Sequence, residues 1–147
     1  MKVLIFSTYF APTTGGVQTC VMLLAKGLAE AEGLEASGIS VKVTVVTEDA
    51  ANGMDDSVLP FRVVRQPGFR KLRKLIQDSD VVHIAGPSLL PMALSWATGR
   101  PFFVEHHVYQ AICPNGLLFR QPDGARTTMK STVAGCSQMQ NYSAPSE

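Results

Sequence analysis

Val3-Leu4-Ile5-Phe6-Ser7-Thr8-Tyr9-Phe10-Ala11-Pro12-Thr13-Thr14-Gly15-Gly16-Val17-Gln18 decides the fold. Its first residues form an unbroken apolar run, which reads as a strand buried on both faces, as in a parallel sheet covered by helices. Turn residues follow. From Val17 the apolar positions recur at helical spacing, with Val21, Leu24, Ala25 and Leu28 at i, i+3, i+4 and i+7. A strand passing through a glycine turn into a helix is suited to an anion: the glycines admit a ligand close to the backbone, and the helix start presents N–H groups and a positive dipole end. Gly15 and Gly16 are therefore candidate phosphate-binding residues, although a tight strand-to-helix turn would call for glycine with no ligand at all.

Working outward, β-branched runs keep alternating with helical periodicity, which predicts an α/β fold with a parallel sheet and helices on both faces. Strands are expected at Lys2 to Ser7, Val41 to Thr47, Phe61 to Arg65, Asp80 to Ile84 and Phe102 to His106. Helices are expected at Val17 to Glu32, stopped by Gly33, at Phe69 to Gln77, and from an N-cap at Ser88 to about Thr98, ended by Gly99 before Pro101. Gly38 can turn the loop Leu34 to Ser40, and Asn52-Gly53 marks another turn. Trp96 is expected in the core. Beyond His107 turn signals dominate (Pro114-Asn115-Gly116, Pro122-Asp123-Gly124), and the polar stretch from Thr127 to Glu147 is expected to be a poorly ordered tail behind a domain spanning residues 1–126.

The chain has 147 residues, 46% apolar and 17% charged, enough for one core. A net charge of +1 gives no global attraction to nucleic acid. Cys20, Cys113 and Cys136 are widely separated without CxxC spacing, which fits reduced thiols in the cytoplasm and no zinc site. The amino-terminal apolar run stops at Pro12 without a convincing small-residue cleavage site, and the stretch Leu89 to Ala97 is far shorter than the roughly 20 residues that span a bilayer. Asn141-Tyr142-Ser143 fits a glycosylation acceptor, which has meaning only in a secreted chain.

Four segments in order carry a family resemblance: the first strand with its Pro12-x-x-Gly15-Gly16 loop; Asp80-Val81-Val82-His83; Gly99-Arg100-Pro101-Phe102-Phe103-Val104-Glu105-His106-His107; and Cys113-Pro114. Over roughly Lys2 to Gly124 the chain resembles the amino-terminal, acceptor-side domain of family-4 retaining glycosyltransferases of the GT-B fold. The resemblance implies an enzyme that transfers a sugar from a nucleotide sugar to a glycan or lipid-linked acceptor with retention of configuration. The donor is a substrate, and no further cofactor or metal is implied. It also implies that Gly15, Gly16 and His83 line the donor cleft, and that His107 acts near the donor sugar, where an imidazole can donate to charge developing on the leaving phosphate. On a strand His106 and His107 would point to opposite faces, so only one of them can serve. Members of that family carry a second Rossmann-like domain with a pair of glutamates separated by seven residues. The chain is therefore expected to be an incomplete GT-B enzyme, needing that missing half for turnover.

Arg70, Lys71, Arg73 and Lys74 interleave with Phe69, Leu72, Leu75 and Ile76, giving a helix with one basic and one apolar face. Such a face is either a solvated helix surface or a peripheral contact with anionic lipid on the inner membrane face. Two other function classes stay open. Glu48 and Asp49 follow the second strand where a ribose-binding acid sits in dinucleotide-binding domains, but the loop is not G-x-G-x-x-G, and the spacing from Gly16 exceeds the usual ~20 residues. A non-catalytic binding module would keep acceptor or partner contacts without chemistry.

Overall fold

The computed structural model describes residues 1–31, 38 and 40–107. Met1–Glu105 forms one compact unit; His106–Glu147 forms a second, of which His106 and His107 are described. The first unit is a Rossmann-like α/β domain. Its elements are β1 (Lys2–Ser7), α1 (Gly16–Ala29), β2 (Lys42–Thr47), a short 3-10 helix (Asp56–Val58), β3 (Arg62–Arg65), α2 (Phe69–Gln77), β4 (Val81–Ala85), α3 (Leu89–Ala97) and β5 (Phe102–Glu105). The expected loop Leu34 to Ser40 is described only at Gly38 and Ser40. The stop at Gly33, the Cys113-Pro114 pair, the boundary at residue 126, the tail from Thr127 and the acceptor pattern at Asn141 lie outside the described residues.

All strand pairs are parallel, in the order β3-β2-β1-β4-β5. Growth in opposite directions from β1 puts the crossover helices on opposite faces, since each crossover keeps the same hand. β1 accordingly feeds two cores. Val3 and Ile5 join Val21 and Ala25 of α1, while Leu4 and Phe6 join Leu72 and Ile76 of α2 and Leu94 of α3. That division is why its apolar run has no polar alternation.

Boundaries depart from expectation in places with a local cause. α1 ends at Ala29, not Glu32: Leu28 and Ala29 are its last residues packed against the core, and Glu30 closes it with a bond to the Lys26 carbonyl. Leu24 sits at the rim of the apolar stripe, 38% exposed, and Val17, Met22 and Ala29 fill the stripe instead. β4 runs Val81–Ala85, one residue later at each end than the expected Asp80 to Ile84, with His83 at its centre. β5 stops at Glu105, so His106 and His107 follow the strand and its alternation does not apply to them. Trp96 is not in the core. It is 80% exposed, because Pro91, Leu94 and Ser95 form the inner side of α3.

Turns form where the glycine signals stand: Gly38, Asn52-Gly53 and Gly99 all have positive φ, and Gly99 closes α3 through a bond to the Trp96 carbonyl. No helix among the described residues is long and apolar enough to cross a membrane.

Candidate functional site

In an open parallel sheet the ligand crevice lies outside the carboxyl ends of the strands where their order reverses, here between β1 and β4. The strands end in step. Pairing aligns Arg65, Thr47, Ser7, Ala85 and Glu105 in one row across all five strands, on the α1 side, with Val63, Val45, Ile5, His83 and Phe103 as the row beneath. The outer row is mostly polar, yet Ser7 and Thr47 are fully buried.

These buried polar groups hold the loop between β1 and α1. Ser7 Oγ donates to the Tyr9 carbonyl at 2.7 Å, and Thr47 Oγ1 donates to the Thr8 carbonyl at 3.3 Å. The Asp49 carboxylate accepts from the Phe10 N–H at 2.8 Å and from Thr13 Oγ1 at 3.3 Å. Arg65 binds Asp56 through Nε and Nη2 at 2.8 and 2.7 Å, reaches the Ala11 carbonyl at 2.8 Å and the Ala50 carbonyl at 3.1 Å, and lies 5.8 Å from the Phe10 ring centroid. Phe10 is fully buried and meets Phe61 edge-on at 6.4 Å. The bond to Asp56 raises the Arg65 pKa against the opposing effect of burial, with the charges of Asp56 and Asp49 adding to it, so the clamp stays cationic. The stretch from Thr8 to Thr13 is thus held at five points, four on its backbone and one at the Thr13 hydroxyl, before it reaches the glycine pair.

Gly15 and Gly16 are both exposed at the start of α1. The fold itself does not require glycine at either. Gly15 is extended, with φ 176°, and Gly16 is not among the positive-φ residues. A Cβ on Gly16 would meet nothing within 4 Å, and one on Gly15 would meet only the end of the flexible Gln18 side chain. α1 has no side-chain cap and no acidic residue in its own first turn, an arrangement that suits an anion at its positive end. Across the switch point Gly86 follows β4 with φ 102°, a conformation that does favour glycine. Ser88 takes the expected N-cap position of α3, but its side chain makes no capping bond.

His83 is 3% exposed. Its ring stacks on Phe103 at 4.6 Å, and its Nε2 lies 2.9 Å from the Glu105 carboxylate. The sheet therefore brings His83 and Glu105 together at the carboxyl end of β4 and β5. His107 is half-buried and His106 exposed, both in the second unit. Among the described residues no group of three or more His, Cys, Asp or Glu could hold a metal ion. Two surface cavities of about 340 Å³ each open near the amino ends of the strands, one lined by Lys2, Lys42 and Arg62 and the other by Val41, Leu59 and Phe61. Neither reaches the carboxyl edge, where the helix start, the glycines and the polar row converge.

Arg65, Asp49, Asp56, Ser7 and Thr47 escaped the sequence reading as loop-holding residues. A signal existed for two of them, since Ser7 and Thr47 each end an apolar strand with a small hydroxyl residue. No family model, curated protein or solved structure matches the chain.

Proposed function

We propose that the chain supplies the acceptor-side half of a retaining glycosyltransferase, with the carboxyl edge of its sheet facing an activated nucleotide sugar. The observation that carries the reading is the glycine pair: it stands at the uncapped positive end of α1, on a loop held at five points, where neither backbone conformation nor neighbouring atoms call for glycine. A ligand phosphate approaching the backbone would call for it. In this reading Gly15 and Gly16 admit the donor phosphates; for His107 the family resemblance implies a hydrogen bond to the leaving phosphate oxygen as the acceptor hydroxyl bonds the sugar carbon and gives up its proton to that phosphate. The His83–Glu105 pair keeps the neighbouring strand end polar. The donor's base and sugar are held by a second nucleotide-sugar-binding domain, and the enzyme works on the cytoplasmic side with its thiols reduced.

Of the two acids that carry the dinucleotide-binding alternative, the Asp49 carboxylate is engaged with Phe10 and Thr13, which leaves exposed Glu48 to support it.

The test is hydrolysis and transfer of a panel of nucleotide sugars by the purified chain, alone and mixed with a separately expressed GT-B carboxyl-terminal domain. Activity in the mixture is expected, with loss of about tenfold or more in Gly16→Ala, Gly16→Trp and His107→Ala. Because a Cβ at Gly16 meets open space, Gly16→Ala should fold like the parent, and far-ultraviolet circular dichroism checks the fold of Gly16→Trp. Unchanged turnover in them would remove the assigned site; no activity in any mixture would favour a non-catalytic binding module.

A further inference from the structure

α2 and α3 lie side by side on one face of the sheet, and Leu72 and Ile76 of α2 share a core cluster with Leu94 of α3. Their outer sides therefore form one surface of the Met1–Glu105 unit. α3 has no charged residue, and its outward positions Leu89, Ala93 and Trp96 follow helical spacing. Leu89 is 84% exposed, Trp96 80% and Leu90 46%. The helix is not inverted, since its one inward hydroxyl, Ser95 Oγ, donates to the Pro91 carbonyl at 2.8 Å. Beside this apolar ridge α2 exposes Arg70, Lys71, Arg73 and Lys74, none of which forms an ion pair among the described residues, and begins with exposed Phe69.

A protein groove of apolar character would accept Leu89 and Trp96 but would leave four cations without partners. The surface of an anionic bilayer satisfies both sets: phosphates meet the cations, and Trp and Leu settle at the boundary between headgroups and acyl chains. We infer that the outer surface of α2 and α3 docks on anionic phospholipid bilayers. The inference is independent of glycosyl transfer; it rests on the pairing of an apolar ridge with a basic helix.

Trp96 is the one tryptophan of the chain, so its emission reports the docking directly. The full chain is titrated with vesicles of phosphatidylcholine alone and of phosphatidylcholine with phosphatidylglycerol. A blue shift and quenching by lipids brominated in their acyl chains are expected only with the anionic vesicles, weakening as salt rises. With each cation near the surface worth about fivefold in affinity, the variant R70Q/K71Q/R73Q/K74Q should bind at least about thirtyfold more weakly. Leu89→Ser should reduce the blue shift as well as the affinity. All replaced residues are exposed, and unchanged far-ultraviolet circular dichroism verifies folding. Three results would overturn the inference: Trp96 emission indifferent to anionic vesicles, equal binding by the fourfold variant, or a concentration-dependent blue shift without lipid, which would assign the surface to a second copy of the chain.

Discussion

The carboxyl edge of the sheet buries polar side chains, while the outer side of α3 exposes apolar ones. At the edge every departure has an internal reason: Ser7, Thr47, Asp49 and Arg65 each meet a backbone or side-chain partner in the neighbouring loops. On α3 there is none, since Leu89 and Trp96 project from a helix whose inner side is already filled by Pro91, Leu94 and Ser95. A buried polar group that is satisfied from within speaks of architecture, whereas an exposed apolar ridge that no described residue covers speaks of something outside it.

Two residues of α3 give the sharpest contrast. Leu94→Ala should cost about 3 kcal/mol through lost burial and the cavity it leaves, while Trp96→Ala, two positions on, should stay within about 0.5 kcal/mol. Urea unfolding followed by far-ultraviolet circular dichroism measures both; a large loss at Trp96 would break the comparison by making the ridge structural. At the polar edge, Arg65→Ala should cost about 2 kcal/mol, because it strips a charged partner from Asp56 and a donor from Ala11. Arg65→Lys should recover less than half of that, since one ammonium cannot hold the carboxylate through two nitrogens and also reach two carbonyls.

The smallest effect belongs to a polar group that is fully exposed. Hydrogen bonds from the Ser57 side chain and backbone hold Asp55 below the ordinary aspartate pKa. Its folded value being the lower, its contribution to stability is present at neutral pH and disappears as pH falls through that value. An NMR titration should place its midpoint below that of a free aspartate, and Ser57→Ala should move it upward, with no measurable change in unfolding at pH 7.

Legibility in the sequence followed interaction range. α2 and β1 match their expected bounds because apolar spacing and flanking turns are local signals. The outward position of Trp96 is not legible locally, because a nine-residue helix rich in apolar residues on every side does not say which side meets the sheet. That choice was made by Leu94 packing with Ile84 and Ile76, residues far apart along the chain. The glycine pair could be read as a candidate site from its place between a strand and a helix. The five-point anchoring of its loop could not, since Asp49 and Arg65 reach it only after β2 and β3 have paired beside β1.

Order along the chain was thus sufficient for the class of fold, the number of strands among the described residues, and the glycine turn at the head of α1, because hydrophobic period and turn chemistry act between near neighbours. Lateral pairing supplied the rest: the strand order that makes a crevice, the row that sets Arg65, Thr47, Ser7 and Glu105 level, the contact of His83 with Glu105, and the outward turn of Trp96. These depend on residues tens of positions apart becoming neighbours, and no local pattern encodes which of them will meet.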